Sequence, residues 1–402
     1  LPRILGVLIA RNEWPLLGIS ITHAMVNHVD KLIVVDHAST DQTQAGLAAL
    51  QKRWGNKIQV LHLCEGTFHH EDTNLMLKSI YEGRDFDWVY PIDADEFLIT
   101  QDNLSLKQIL AQVPANYEAV RYELHNFVSP TDFVEQDFER YSELREKAVV
   151  NPDFKLTHGD FVESVIQGGL NFFDVPFDSK VIFRLPQDSW AAAGSHSMLG
   201  IGKEAEHKLP PVDTFVAHLP FLTRERLERR ADQGRAMVKS GYPKNHGWQS
   251  QVVHQMQVDG RLDEYWKKNS INKTSSDSVF SPPKTITENR LAPVLEAAIS
   301  ELLRSLNDME NVFSIQQSAC EPSVTLSEGV HAVHAMARFK QENIDSAHLH
   351  IGELNQHIQD LQLQLQAQAD HYSAERTEFL SSISWRATRG LRLVGKLISC
   401  LL

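Results

Sequence analysis

A chain of 402 residues, 42% of them hydrophobic, is long enough for one large domain with accessory segments or for two ordinary domains. Its net charge of −13 speaks against sequence-independent binding of nucleic acid, which needs a broadly basic face. Three cysteines, Cys64, Cys320 and Cys400, stand far apart and outside any Cys-x-x-Cys spacing, which indicates neither a disulfide framework nor a zinc site and fits a reducing cytosol.

The apolar run over residues 1–10 is too short for a signal peptide and leads directly into charged sequence. No stretch reaches the roughly 18 uncharged apolar residues that span a bilayer. Short β-branched runs then alternate with helix-like segments, the pattern of β-α-β units around a mainly parallel sheet. Residues 4–10 predict a first strand and residues 12–28 a helix, with Leu17, Ile21, Ala24, Met25 and His28 along one face. A second strand over 31–35 runs into Asp36-His37-Ala38-Ser39-Thr40-Asp41, a polar turn suited to capping the helix expected over 43–54. A third strand over 58–63, a third helix over 73–81 and a fourth strand over 88–92 complete the series.

The fourth strand leads into Asp93-Ala94-Asp95-Glu96-Phe97-Leu98. A carboxylate taken out of water costs several kcal/mol unless it is paired or bound to metal, so a positive partner is expected there. Because side chains alternate along a strand, Asp93 and Asp95 are expected to point to one side and offer oxygens to a single hard cation, Mg2+ or Mn2+. In open α/β sheets the ligand sits outside the carboxyl ends of the strands, which places Arg11, Asn12, Glu13, Asp36, Asp41, Asp93 and Asp95 around one crevice. Asp36 is placed either to bind base or ribose or to cap the next helix, and Arg11 and Glu13 either to floor the site or to pair with each other.

Between 104 and 221 the pattern is mixed, with strands over 118–124 and 180–184 among loops rich in Gly, Pro, Phe and His. Residues 223–239 predict a charged helix carrying Arg224, Arg226, Arg229, Arg230 and Arg235. It reads as a solvated face bridged to Glu225, Glu228 and Asp232, or as a source of phosphate contacts. Residues 270–284 read as a linker, followed by a helix over 288–306 and a loop over 311–327. A heptad begins with Ile344, Ile351, Ile358 and Leu365 at one seam and Ala347, Leu354 and Leu361 at the other, a pattern favouring a parallel two-stranded coil and hence a homo-oligomer, the alternative being a single helix packed on its own domain. The last segment lacks acids after Glu378 and alternates Arg386, Arg389, Arg392 and Lys396 with apolar residues. This amphipathic basic tail suits an anionic membrane surface, a partner or self-association.

Taken together, Ala10-Arg11-Asn12-Glu13, His23 to His28, Val34-Val35-Asp36 through Thr43, and Asp87-Trp88 through Asp93-Ala94-Asp95-Glu96-Phe97 resemble the family 2-like glycosyltransferases with a GT-A fold, in the subgroup related to family 92. Lys180-Val181-Ile182-Phe183-Arg184, the His196 of Gly194-Ser195-His196, and Val216-Ala217-His218-Leu219-Pro220 are similar to later motifs of that subgroup, with Leu219 in place of its usual Tyr. The resemblance covers about residues 3–240. It implies metal-dependent transfer of a sugar from a nucleotide-sugar donor to a glycan or lipid-linked acceptor, with Asp93 and Asp95 on Mn2+ or Mg2+. A late histidine completes the metal shell, His196 first and His218 second. An inverting enzyme also needs a carboxylate base, for which Asp132, Asp160, Glu163, Asp174 and Asp178 are all available.

Ser382-Ile383-Ser384-Trp385-Arg386-Ala387-Thr388 resembles a segment that follows coiled coils in bacterial surface-polysaccharide glycosyltransferases, with Gly390 where proline is usual. The organisation that follows is a GT-A domain over 1–240, a helical extension with linkers over 241–328, a coiled coil over 329–382 and a basic tail over 383–402. The protein is expected in the cytoplasm, with peripheral contact to the inner membrane face. A phosphohydrolase using the first Asp as nucleophile is disfavoured, since three strand-helix units precede the motif. The non-enzymatic alternative is a GT-A-like scaffold assembled through the coiled coil.

Overall fold

The most uniformly apolar run of the N-terminal half forms the strand at the middle of a parallel array: β1 (Ile4–Ala10) is buried along nearly its whole length. The computed structural model describes residues 1–63, 85–100, 104–150, 154–185, 190–191, 196, 198–199, 205–209, 214–239, 241, 247–272, 283–307 and 388. The chain divides into two units, Leu1–Ala332 and Val333–Leu402, and every described residue except Thr388 belongs to the first. The helix expected over 73–81, the three cysteines, most of the 270–284 linker, the heptad segment and the basic tail apart from Thr388 lie outside the described residues.

After β1 come α1 (Leu16–Asn27), β2 (Lys31–His37), α2 (Thr43–Trp54), β3 (Ile58–Leu63), β4 (Trp88–Ile92) and β5 (Glu96–Thr100). They are followed by α3 (Leu106–Ala111), β6 (Ala119–Asn126), β7 (Glu146–Ala148), α4 (His158–Gln167), β8 (Lys180–Arg184), β9 (Trp190–Ala191) and β10 (Met198–Leu199). The series closes with β11 (Glu206–Lys208), β12 (Thr214–His218), α5 (Arg224–Lys239), α6 (Trp248–Val258), α7 (Leu262–Lys268), β13 (Thr285–Thr287) and α8 (Leu291–Asn307).

Among the described residues a nine-stranded sheet runs β3-β2-β1-β4-β8-β6-β12-β5, with β11 added to β6. The first four strands are parallel; the apolar runs of β1, β2 and β4 are buried, whereas β3, at the end of this order, is mostly half-buried. β8 runs antiparallel to β4 and β6, and β5 antiparallel to β12. This is the mixed α/β sheet, flanked by helices, that the GT-A resemblance implies.

Helix α8, expected over 288–306, packs on α1 and α2, and its Leu291, Leu295 and Leu302 enter the same core as β1 and α1. Trp14 wedges between α1 and α2, where a Cβ at Gly46 would lie 2.1 Å from its ring, so only glycine leaves room. A second apolar cluster, with Phe172, Phe173, Phe221, Val253 and Trp266, joins α4, α5, α6 and α7. No described helix is long and apolar enough to cross a membrane.

Two expectations change. The first helix begins at Leu16 rather than at residue 12, because Asn12 lies in the left-handed region (φ 58°) and its polar groups bind the loop after β2. The acidic pair is not part of a continuing strand. β4 ends at Ile92, the chain turns through Asp93–Asp95 with Glu96 N–H donating to Asp93 O at 3.2 Å, and β5 departs to pair with β12.

Candidate functional site

The sheet register collects polar side chains along one edge. Ala10 pairs with Asp36 and Asp36 with His62, while His218 is flanked by Asn126 on β6 and Glu96 on β5. The carboxyl ends of β1, β2, β4, β6 and β12 and the starts of β5 and β8 therefore lie along one edge of the sheet, the edge at which ligands bind in open α/β sheets.

At the β1 and β2 ends, Asn12 joins the two loops. Its N–H donates to Ser39 Oγ at 2.9 Å, and its Oδ1 accepts from Thr40 N at 2.7 Å and Asp41 N at 3.3 Å. Asp36 is fully buried and accepts from His62 Nδ1 at 3.0 Å and Ser39 N at 3.2 Å. Burial works to raise its carboxyl, but these hydrogen bonds outweigh it and hold the group below the usual carboxylate range. Asp36 does not cap α2; Asp41 Oδ1 receives the Thr43 N–H instead, at 2.9 Å. Arg11 is exposed at the rim; burial first and then the Arg11 charge lower the pKa of the His37 imidazole.

Glu13 does not pair with Arg11. It pairs with Arg226 of α5, whose Nη2 also donates to the Glu13 carbonyl at 3.0 Å and lies 2.5 Å from Glu135 Oε1. Arg226 and Glu135 are both buried, so α5 is not simply a solvated charged face. Arg224 and Arg235 do bridge to Glu228 and Asp232 as anticipated, whereas Arg226 and Arg230, one helical turn apart, point inward.

The carboxylates of the turn diverge. Asp93 is half-exposed, with Oδ2 2.6 Å from Lys180 Nζ, the first residue of β8. Lys180 also lies 2.9 Å from Glu96 Oε1, and both of those side chains are only 5% exposed. Burial pushes the Glu96 carboxyl well above its ordinary value, against the pull of the Lys180 ammonium. Asp93 also feels burial, but the Lys180 ammonium and a hydrogen bond from Glu96 hold its pKa down. Asp95 turns the other way, with Oδ2 3.5 Å from His218 Nε2 and 3.4 Å from Arg230 Nη2. Burial would raise its carboxyl, but His218, Arg230 and Arg226 hold it far below the carboxylate range.

Asp93, Asp95 and His196 do not converge as three ligands of one ion. Among the described residues no group of three or more His, Cys, Asp or Glu side chains is placed to hold a metal. The physical reason is the turn, which replaces the strand alternation that would have aimed both aspartates to one side. His196 stands near Lys180, its Nδ1 3.2 Å from the carbonyls of Asp178 and Ser179, and burial with the Lys180 charge pushes its imidazole down to about 4. The histidine that meets Asp95 is His218, second choice by sequence, its Nδ1 2.7 Å from Asn126 Oδ1.

Asp95 Oδ2 and His218 Nε2, 3.5 Å apart, fit two ligands of one divalent cation, whose bonds to oxygen and nitrogen run to about 2.0–2.2 Å. Such ions commonly take one or two protein ligands and complete their shell with water and phosphate oxygens. The ring of Phe177, its centroid 6.0 Å from that of His218, stands beside this pair.

Asn126, Glu135 and Gln249 have no counterpart among the sequence-based candidates. Only Asn126 carries a signal, a polar residue at the carboxyl end of its strand, as Asp36 is near the end of β2. Of the five candidate bases, Asp132 pairs with Arg140, Asp160 and Asp174 serve helix caps, and Glu163 binds Gln167. Asp178 is exposed just before β8.

No protein-family model matches this chain, and no curated protein matches it. Solved structures share a loose likeness. Residues 1–349 of Staphylococcus aureus TarS in complex with UDP are 11% identical, covering 80% of this chain and 95% of that one, at a TM-score of 0.30. Mycobacterium tuberculosis glucosyl-3-phosphoglycerate synthase, crystallised with Mn2+, UDP and glucosyl-3-phosphoglycerate, is 18% identical over 60% of this chain and 81% of that one, at a TM-score of 0.30. An active-site mutant of LgtC is 18% identical over 30% and 46%, at a TM-score of 0.22. Likeness at these scores carries no argument for the chemistry of this chain.

Proposed function

We propose that this chain is a GT-A glycosyltransferase that moves a sugar from a nucleotide donor to a glycan or lipid-linked acceptor. The observation that carries the reading is the Asp95–His218 pair, a carboxylate and an imidazole 3.5 Å apart at the carboxyl edge of the sheet. Asp95 and His218 would hold Mn2+ or Mg2+, which when bound supplies positive charge against the departing nucleoside diphosphate. Asp93, half-exposed and oriented by Lys180, is within the crevice as an acceptor for ribose hydroxyls. Arg11, Asn12 and Glu13 form the adjoining rim, and the Asn12 bonds to Thr40 and Asp41 keep the two loops together. Asp36 acts through His62 and Ser39 rather than by touching the donor, since it is fully buried. The tail motif at 382–388 supports a place in bacterial surface polysaccharide or glycan synthesis. The heptads support assembly of like chains, and the basic residues after 385 support peripheral membrane contact.

Thermal unfolding with a panel of nucleoside diphosphates, with and without Mn2+, tests the core of this reading. A ligand at a hundred times its Kd stabilises a fold by about 2.7 kcal/mol, so one nucleotide should raise Tm in a Mn2+-dependent way. Absence of any shift across the panel would overturn the proposal.

A further inference from the structure

One oxygen, Asp95 Oδ2, is faced by two nitrogens, His218 Nε2 at 3.5 Å and Arg230 Nη2 at 3.4 Å. The Arg230 side chain is 21% exposed and arrives from α5. Its other terminal nitrogen, Nη1, donates to Gln249 Oε1 on α6 at 2.7 Å, and its guanidinium carbon lies 5.8 Å from the Phe221 ring centroid. Charge-assisted hydrogen bonds are usually about 2.7–2.9 Å long, so the link to Gln249 is full and the link to Asp95 is loose. A guanidinium held firmly at its far nitrogen and weakly at its near one is built to exchange the near partner.

Such an exchange would be needed on loading. A divalent cation bound to Asp95 Oδ2 would stand within a few ångströms of Nη2, where like charges repel strongly in partly buried surroundings. A diphosphate entering with the cation brings oxygens that suit the planar donors of arginine.

We propose that Arg230 is an exchangeable counter-charge, neutralising Asp95 in the free protein and passing to the diphosphate of the nucleotide when a divalent cation takes Asp95. This rests on the glycosyltransferase reading and adds to it a diphosphate-binding residue and a coupling. Each ligand removes an obstacle for the other, so cation and nucleotide bind with reciprocal positive cooperativity.

The experiment is isothermal titration of Mn2+ and of UDP, each alone and with the other saturating, on wild type, Arg230→Gln and Arg230→Lys. Arg230→Gln should bind Mn2+ alone about fivefold more tightly than wild type, because the competing charge is gone. The same variant should bind UDP in the presence of Mn2+ about tenfold more weakly. Arg230→Lys keeps the charge and loses the fork, so it should keep wild-type Mn2+ affinity and lose roughly threefold or more in UDP affinity. Wild type that binds both ligands, with Arg230→Gln unchanged in either affinity, overturns the exchange alone. Wild type that binds neither overturns the glycosyltransferase reading and the exchange with it. If Arg230→Gln does not fold, Arg230→Lys decides: unchanged UDP affinity overturns the exchange.

Discussion

His218 stands between Asp95 and Asn126, its Nε2 3.5 Å from the Asp95 carboxylate and its Nδ1 2.7 Å from the Asn126 Oδ1. An amide oxygen only accepts, so Nδ1 donates to Asn126 and the ring is held with Nε2 facing Asp95. Asn126 thus orients the imidazole, the role that an outer partner plays for a metal-binding histidine in general.

Substitutions at these three positions should fall in a ranked series. Asp95→Asn and His218→Ala each remove a direct ligand and should abolish Mn2+-dependent binding of nucleotide. Asn126→Leu removes only the orienting bond and should weaken Mn2+ by roughly 10–100-fold. Titration of Mn2+ into the variants checks the order; a leucine at 126 with wild-type affinity would mean the orienting bond has no such role.

The Lys180 cluster should respond asymmetrically. Lys180→Met leaves the Asp93 carboxylate without its ammonium and should cost about 1–3 kcal/mol, less than a fully buried pair because Asp93 is wetted. Glu96→Gln should cost under about 1 kcal/mol, since burial already disfavours the Glu96 charge and an amide keeps a donor toward Asp93. Urea midpoints of the two variants test this, and a large loss in Glu96→Gln would show that Glu96 is ionised.

Acid should weaken the fold before the carboxylates titrate. His23 Nε2 and His28 Nε2 both lie on the Leu98 carbonyl, at 2.9 Å and 3.1 Å, deep in the core beside β5. Burial pushes the His23 imidazole down to about 4 and His28 further below its usual value. In the unfolded chain both take a proton near pH 6.5, so their contribution is complete above that pH and is lost as pH falls toward 4. For His23 alone the loss amounts to about 3 kcal/mol. Denaturant unfolding from pH 7 to 4 should show this slope, and His23→Leu should flatten part of it.

Gly234 sets the approach of α5 to α6. A Cβ there would sit 1.9 Å from the Ser250 carbonyl, which is backbone and cannot step aside. Gly234→Ala should cost about 1–3 kcal/mol. Because Arg230 leaves α5 and binds Gln249 on α6, the same change should weaken nucleotide binding. Wild-type Tm in the alanine variant would show that the helices can separate at no cost.

The strands over 4–10 and 88–92 were legible because a strand buried on both faces must be apolar, whereas that over 58–63, half-buried and interrupted by Gln59 and His62, was legible from its place in the β-α series. The loops that gather at the site were legible for a related reason: polar residues at the carboxyl ends of successive parallel strands come to one edge by topology alone. The charge face of α5 was legible only in part. Arg224 and Arg235 obey local i, i+3 and i, i+4 pairing, but Arg226 turns inward to a glutamate that lies 91 residues earlier, Glu135.

Short-range periodicity was enough to give the parallel half of the sheet and the edge at which its polar loops gather. The tertiary structure alone decided that Asp93 and Asp95 serve different partners and that His218, not His196, meets Asp95. Those outcomes depend on β12 inserting between β6 and β5 and on β8 lying beside β4, pairings between segments about ninety to 120 residues apart that no local pattern encodes.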